Sequence, residues 1–259
     1  MKLNGNTILI TGGGSGIGLA LAEEFSRMDN RVIVAGRTPE KLRVAEKKGF
    51  KTFSVDMSNP ASIHALAEKV TQEFPRLNVV IHNAGIAKAE NLIQGGNSKV
   101  QEEIVLTNFL GPMRLTDALL SHLLKQGSAT IMTVSSGLAF VPNASNPTYS
   151  ATKAALHSYS QSLRFQLKDT SVKVVEIAPP YVQTRLGGEF QATDPNAMPL
   201  KDFSSEVMQI LKSDPQVEEV LVMRVHPHRF AAEKGRVAYE VFFKQYNQRL
   251  DRDDFPNLP

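Results

Sequence analysis

Short runs rich in β-branched and aliphatic residues alternate along the chain with longer segments of helical period. The runs fall at 7–10, 31–35, 52–55, 78–82, 129–134, 172–177 and 219–223, each the length of a buried strand. Between the first two, Ile17, Leu21 and Phe25 recur at every fourth position, on one face of a helix over 16–28. Asn59-Pro60 reads as a cap followed by a first-turn proline, opening a helix that runs to about Phe74. The spacing of Leu115, Leu119 and Leu123 predicts a helix over 115–125, closed by Gly127. A last helix is predicted over 229–250, after His226-Pro227. Strands alternating with helices predict an α/β fold: one domain over 1–259, with a doubly wound parallel sheet of about seven strands and helices on both faces. The stretch 185–200, with Gly187, Gly188, Pro195 and Pro199, breaks the pattern and reads as a substrate lid.

Composition narrows the class. With 42% hydrophobic and 21% charged residues the chain is globular rather than disordered. It has no cysteine, which removes a disulfide framework, a thiolate nucleophile and a cysteine zinc site, and agrees with a cytoplasmic setting. The net charge of +3 is spread over interleaved acids and bases, a solvated surface rather than a nucleic-acid patch. No apolar run approaches the ~20 residues of a membrane span, and the first residues are too polar for a secretory signal, so no membrane association is expected. His226 and His228 flank a proline with no acidic cluster in the nearby sequence, so no metal site is expected, and His82 reads as a packing residue.

Directly after the first run comes Thr11-Gly12-Gly13-Gly14-Ser15-Gly16-Ile17-Gly18, with a helix starting inside it. The N–H groups of such a turn and the helix N-terminus face an anion, here a pyrophosphate. Gly12 allows the tight turn, Gly16 the approach of the ligand and Gly18 the packing of helix on strand; Gly14, Ser15 and Ile17 complete the cradle. The spacing is G-x-x-x-G-x-G, not the G-x-G-x-x-G of other dinucleotide folds. Further landmarks follow in order: Asp56 after the third run, Asn83-Ala84-Gly85 after the fourth, Asn108 in the next helix, and Tyr149-Ser150-Ala151-Thr152-Lys153.

In this combination, over roughly residues 5 to 225, the chain resembles the short-chain dehydrogenase/reductase family. The resemblance implies a Rossmann-type fold and an oxidoreductase that uses a nicotinamide dinucleotide. It implies that Asp56 contacts adenine, that Asn83, Ala84 and Gly85 lie beside the adenine ribose, and that Asn108 holds a water linking Lys153 to solvent. Read by itself, Asn108 is also a polar residue that bends an apolar helix. The segment Ala178-Pro179-Pro180-Tyr181-Val182-Gln183-Thr184 corresponds to the family's P-G-x-V-x-T, which implies that Pro179, the Val182 backbone and the Thr184 hydroxyl hold the nicotinamide carboxamide. Pro180 stands where the family has glycine, removing an N–H and fixing φ, so the local backbone path stays open. The family also implies a homodimer or homotetramer, paired through the small residues that follow Tyr149. The tail from Arg229 to Leu250 is similar to that of bacterial DltE-like oxidoreductases, a subgroup whose substrate the resemblance does not supply.

The second run ends Val34-Ala35-Gly36-Arg37-Thr38, with no carboxylate to take both ribose hydroxyls. Gly36 leaves room, and Arg37, with Thr38 beside it, offers a planar cation suited to a 2′-phosphate. NADP(H) is therefore favoured over NAD(H), as the resemblance also implies, against the plainer reading of Arg37 as a solvated loop residue.

Tyr149 and Lys153, four apart on a helix, share one face. A free tyrosine titrates near ~10. The ammonium and an oxidised nicotinamide both favour phenolate, which predicts a pKa lowered by ~2–3 units, worth ~3–4 kcal/mol. In reduction Tyr149 would serve as general acid. Ser136 follows the fifth run, faces the crevice and can donate to a carbonyl oxygen, whereas alternation points Ser135 the other way. Leu186, Phe190 and Met198 in the lid, with Leu138, Phe140 and Val141, favour a substrate with an apolar part; Arg185 reads either as an anion site or as solvated. Two other classes stand beside the enzyme. A non-catalytic NADP(H)-binding sensor or scaffold would not need the intact set Asn108, Ser136, Tyr149 and Lys153. An extended-fold epimerase needs a larger C-terminal domain than the 75 residues after Thr184.

Overall fold

The aliphatic runs become β1 (Thr7–Thr11), β2 (Arg31–Gly36), β3 (Lys51–Ser54), β4 (Leu77–His82), β5 (Ala129–Val134), β6 (Val172–Ile177) and β7 (Glu219–Val220) in the computed structural model, which describes residues 2–248. The helices are α1 (Gly16–Ser26), α2 (Pro39–Lys47), α3 (Pro60–Glu73), α4 (Ser98–Val105), α5 (Gly111–Leu123), α6 (Pro147–Gln166), α7 (Leu200–Ser213), α8 (His226–Arg229) and α9 (Arg236–Gln248). All strand pairs are parallel, in the order β3-β2-β1-β4-β5-β6-β7. The strand order reverses between β1 and β4, and that is where doubly wound sheets open a ligand crevice at their carboxyl ends. This is the Rossmann-type sheet that the alternation predicts.

Alternation along the strands splits the core in two. Ile8 and Ile10 face one layer with Phe25 of α1 and Phe203 of α7, while Leu9 faces the other with Ile63 of α3, Leu115 of α5 and Leu163 of α6. The side chain of Asn59 caps α3 by accepting from the N–H groups of Ala61 and Ser62.

Three elements differ from the sequence reading. The helix expected over 115–125 begins at Ser98 and reaches Leu123 through a π-helical segment, Leu106–Leu110. It ends where Lys125 and Gln126 turn back onto the carbonyls of His122 and Leu123, ahead of Gly127. β7 stops at Val220, two residues long, because Pro179 and Pro180 follow β6 and have no N–H to extend the ladder. The final helix is broken: Gly235, with φ +90°, separates α8 and a short 3₁₀ turn (Ala232–Lys234) from α9. The expected end of that helix, Arg249 and Leu250, lies outside the described residues. Among the described residues no helix is long and apolar enough to cross a membrane.

Candidate active site

The glycine turn closes against the end of β4. Gly12 has φ +67°, and a Cβ there would lie 2.7 Å from the Ala84 Cα; one on Gly18 would lie 2.4 Å from the Asn83 amide nitrogen. That amide donates to the carbonyls of Thr11 and Gly12, at 3.0 and 3.1 Å, so Asn83 braces the turn. The N–H groups of Asn83 and Ala84 both donate to the Thr11 hydroxyl. Gly14 packs on the Lys41 backbone, and Ile17 packs against the core. Ser15 stands at the N-cap of α1 without a side-chain capping bond, and the first turn carries no acid. The positive end of the helix is thus left for an anion. A Cβ on Gly16 would meet the Thr184 side chain at 3.5 Å, so the turn and the segment after β6 share one crevice.

Arg37 and Thr38 follow β2, on the side of the crevice beyond β1. The Arg37 guanidinium is half-exposed and pairs with Glu103 at 3.3 Å, which also takes the Lys88 ammonium at 3.0 Å. The hydrogen bond from Lys88 first, and that from Arg37 with it, hold the Glu103 carboxyl below its usual range against a smaller effect of burial. Sequence reading missed Glu103, which lies far from Arg37 along the chain. Thr38 caps α2 by position only, with no side-chain capping bond. Burial raises the Asp56 carboxyl, but the backbone and hydroxyl bonds from Ser58, with Arg37 nearby, outweigh it and hold the group low.

Tyr149 and Lys153 lie on the first two turns of α6, both buried. Ser136 lies near enough to the Tyr149 hydroxyl to oppose the effect of burial on it, and its Oγ accepts from the Leu138 N–H at 3.1 Å. Ser135 has a buried Oγ with no hydrogen-bond partner among the described residues. Lys153 Nζ donates to the Val134 carbonyl at 2.7 Å and lies 5.5 Å from the centre of the Tyr149 ring.

One expectation is corrected here. Burial pushes the Tyr149 phenol up to about 12, with Ser136 opposing it, instead of the predicted fall. Burial also pushes Lys153 down to about 8, weakening the cation meant to lower its neighbour. Desolvation of the phenolate therefore wins, and the proton stays on Tyr149 at neutral pH.

Asn108 sits in the π-helical segment, fully buried, a local geometry often found at functional sites. Its amide accepts from the Ile86 N–H and donates to the Ile86 carbonyl, both at 2.9 Å, and reaches the Thr152 hydroxyl at 3.3 Å. A Cβ on Gly85 would come within 3.4 Å of the Asn108 oxygen and 3.8 Å of Lys153 Nζ, so these three residues adjoin.

On the far side of the crevice, Gln191 ties the irregular stretch to its base. It donates to the Val182 carbonyl at 2.8 Å and the Thr184 hydroxyl at 3.1 Å, and accepts from the Gly187 N–H. Pro179 gives its carbonyl to the Gly137 N–H at 2.8 Å. Of the expected pocket residues, Leu186 and Phe190 are exposed, but Met198 is buried beneath Val182. Phe140 packs on the His157 ring and the Arg229 guanidinium, and Val141 is fully buried. Arg185 is exposed and paired with Glu189. The sequence reading missed α9 as part of the site: Asn247 bonds the Ala144 N–H and the Pro142 carbonyl, and Tyr246 lies near Asn143 and within electrostatic reach of Tyr149 and Tyr181. A cavity of about 500 Å³ at the amino ends of the strands, lined by Asn6, Arg31, Arg76 and Asn78, holds none of these groups.

A family model described as short chain dehydrogenase matches residues 6–195. An uncharacterized oxidoreductase, DltE of Bacillus subtilis, is 40% identical over 255 residues, covering 95% of this chain and 98% of that protein. An uncharacterized oxidoreductase of Staphylococcus saprophyticus is 28% identical over 234 residues, covering 87% of this chain and 100% of that protein. Among solved structures, a Burkholderia phymatum short-chain dehydrogenase/reductase in complex with NAD superposes with a TM-score of 0.77 at 18% identity, covering 90% of this chain and 95% of that one. A Shigella flexneri short-chain dehydrogenase complexed with NADP superposes with a TM-score of 0.72 at 26% identity, covering 83% and 95% of the two chains.

Proposed function

The chain belongs to the short-chain dehydrogenase/reductase family, and on that premise we propose that it is an NADP(H)-dependent oxidoreductase acting on a carbonyl or secondary alcohol. The observation that carries this reading is the buried Tyr149 hydroxyl near Ser136, with the Lys153 ammonium 5.5 Å from its ring centre. The uncapped α1 N-terminus with no first-turn acid suits a pyrophosphate. Arg37 and Thr38 suit a 2′-phosphate, Asp56 with Asn83, Ala84 and Gly85 the adenosine, and Pro179, Val182 and Thr184 the carboxamide end. The coenzyme, when bound, supplies or accepts the hydride.

The chain's own groups handle the proton. In reduction Tyr149 gives its proton to the substrate oxygen while the Ser136 hydroxyl steadies the charge developing there. A phenol held protonated by burial is ready for this role at neutral pH. The Lys153 ammonium then stabilises the phenolate left behind, and Asn108 holds the water through which the proton is replaced. Tyr246, Tyr181, Leu186 and Phe190 around the entrance favour a substrate with an apolar part. We take the chain to act as one cytoplasmic domain with 185–200 as its lid. We also take it to pair as a homodimer or homotetramer through the exposed small residues Ala151, Ala154, Ser158 and Ser162 of α6, which sedimentation would test.

The test is NADPH oxidation with a panel of dicarbonyls, aldehydes and ketones, run beside Tyr149→Phe. Turnover that collapses in the variant while NADPH still binds is the expected result. Binding without turnover on any panel member would instead favour the sensor reading.

A further inference from the structure

Behind Lys153 lies an ionisable cluster that the reduction does not use. Glu176, on β6, is fully buried. One of its carboxylate oxygens accepts from His157 Nδ1 at 2.7 Å, and the other, Oε1, has no hydrogen-bond partner among the described residues. A buried carboxylate with an unused oxygen is costly unless a cation compensates it.

The topology supplies that cation. His157 follows Lys153 by one turn of α6, so the two side chains meet the sheet along one stripe. The β5–β6 register sets Glu176 beside Thr133, and the next residue, Val134, is the one whose carbonyl takes the Lys153 ammonium. The other charged groups around Glu176 are Glu219 of β7 and Arg229 of α8. The Arg229 guanidinium takes both Glu219 oxygens, at 2.7 and 3.4 Å, and is shared with Glu233 at 2.9 Å. His157, Glu176 and Glu219 bring ligand atoms within 4.8 Å, a spacing that would suit a metal ion. Arg229 already occupies Glu219, so a metal ion at this spacing would have to displace it.

We propose that Glu176, oriented by His157, is a positioning residue whose carboxylate keeps Lys153 in its ammonium form beside Tyr149. Burial alone drives Lys153 toward the neutral amine, and Glu176 opposes this, so that the lysine still titrates at about 8. No hydrogen bond joins the two groups; the effect acts through space, where low polarity makes it strong. The inference rests on the reading of Lys153 as the cation that supports Tyr149.

The experiment follows Lys153 directly. The full chain is labelled with ¹³C-lysine, its Cε signals are titrated by NMR, and Lys153 is assigned by its absence in Lys153→Arg. Glu176→Gln and Glu176→Met keep the volume and remove the charge, and replacing a buried ion by a neutral group of like size is often tolerated. The expected result is a midpoint at least one unit lower in both, a tenfold change in proton affinity. The alkaline limb of kcat/KM should move by the same amount, with NADPH affinity unchanged. An unmoved Lys153 midpoint in a folded variant would overturn the proposal, as would failure of both variants to fold, which would make Glu176 a structural residue. If the midpoint moves but the parent enzyme shows no turnover, the electrostatic assignment stands and the oxidoreductase reading is what fails.

Discussion

The carboxylate of Glu90 accepts both the backbone N–H of Thr148, at 3.0 Å, and its hydroxyl, at 2.8 Å, one residue before Tyr149. Asn146, at the N-cap of α6, makes no side-chain capping bond, so the loop after β4 anchors this helix from a distance. Gln101 of α4 donates to the same carboxylate at 3.0 Å, which ties three segments to one group. A negative charge at a helix N-terminus is favourable in itself.

Glu90→Ala is therefore expected to lower unfolding stability by about 1–3 kcal/mol, through the stranded N–H and hydroxyl. Because the freed turn carries Tyr149, kcat should fall by ~10–100-fold, the usual consequence of a small misplacement. Urea unfolding and kcat measured together check this. A stability loss with kcat intact would show that Tyr149 is held by the rest of its helix.

Arg37 offers a second test. If it receives the 2′-phosphate, Arg37→Ala removes a charge-assisted bond worth ~1.5–3 kcal/mol, so NADPH affinity should drop by ~10–100-fold. Affinity for NADH should stay within about twofold. Fluorescence titration with both coenzymes separates the two outcomes. Equal losses for NADPH and NADH would mean that Arg37 serves the loop through Glu103 rather than the phosphate.

These two residues also mark what periodicity and local spacing can disclose. Arg37 stands out in the sequence because it follows a strand whose position the aliphatic pattern determines. The same holds for the Gly12–Gly18 turn and for Ser136, whereas the order of the strands in the sheet is not read from the chain. Glu90 was not legible, since its partner Thr148 is distant in the chain and nothing local marks a loop glutamate as a helix cap. Glu103, Glu176 and Asn247 share that property: each matters through a residue brought near only by the folded topology. The direction of the Tyr149 shift was missed for another reason. The sequence shows that a cation is four residues away but not how completely the phenol is withdrawn from water. Phe140, which packs on Arg229, and Met198, which pairs with Val182 through the backbone, meet partners that the local sequence does not disclose.

His82 gives a pH prediction independent of activity. Its ring is fully buried at the end of β4, with Nε2 bonded to the Thr116 hydroxyl at 2.9 Å and Nδ1 without a hydrogen-bond partner among the described residues, and burial pushes its pKa down to about 4. The folded protein thus keeps His82 neutral where the unfolded chain protonates it near its ordinary value. The associated stability is fully present above about 6.5 and declines as pH falls toward 4. Between pH 7 and pH 5 the loss should be about 2 kcal/mol from this group. Urea midpoints at the two pH values check it, with His82→Gln expected to flatten the difference. An equally steep fall in that variant would assign the acid sensitivity to other groups.

Asn247 tests the role of the last helix. Its amide accepts from the Ala144 N–H at 2.7 Å and donates to the Pro142 carbonyl at 3.1 Å, holding the loop that runs from Ser136 toward Tyr149. The neighbouring Tyr246 lies near Asn143 in the same loop. These contacts touch the substrate side of the crevice and none of the groups around the glycine turn. Each lost bond is worth about 0.5–1.5 kcal/mol, so Asn247→Ala should reduce kcat/KM for a carbonyl substrate by about 5–50-fold. NADPH affinity should remain within about twofold, because the coenzyme's expected contacts follow β1, β2, β3, β4 and β6, and Asn247 bonds only the loop after β5. Steady-state kinetics beside a direct NADPH titration distinguish the two sides. If NADPH affinity falls in step with kcat/KM, α9 braces the whole crevice and the substrate-side assignment is wrong.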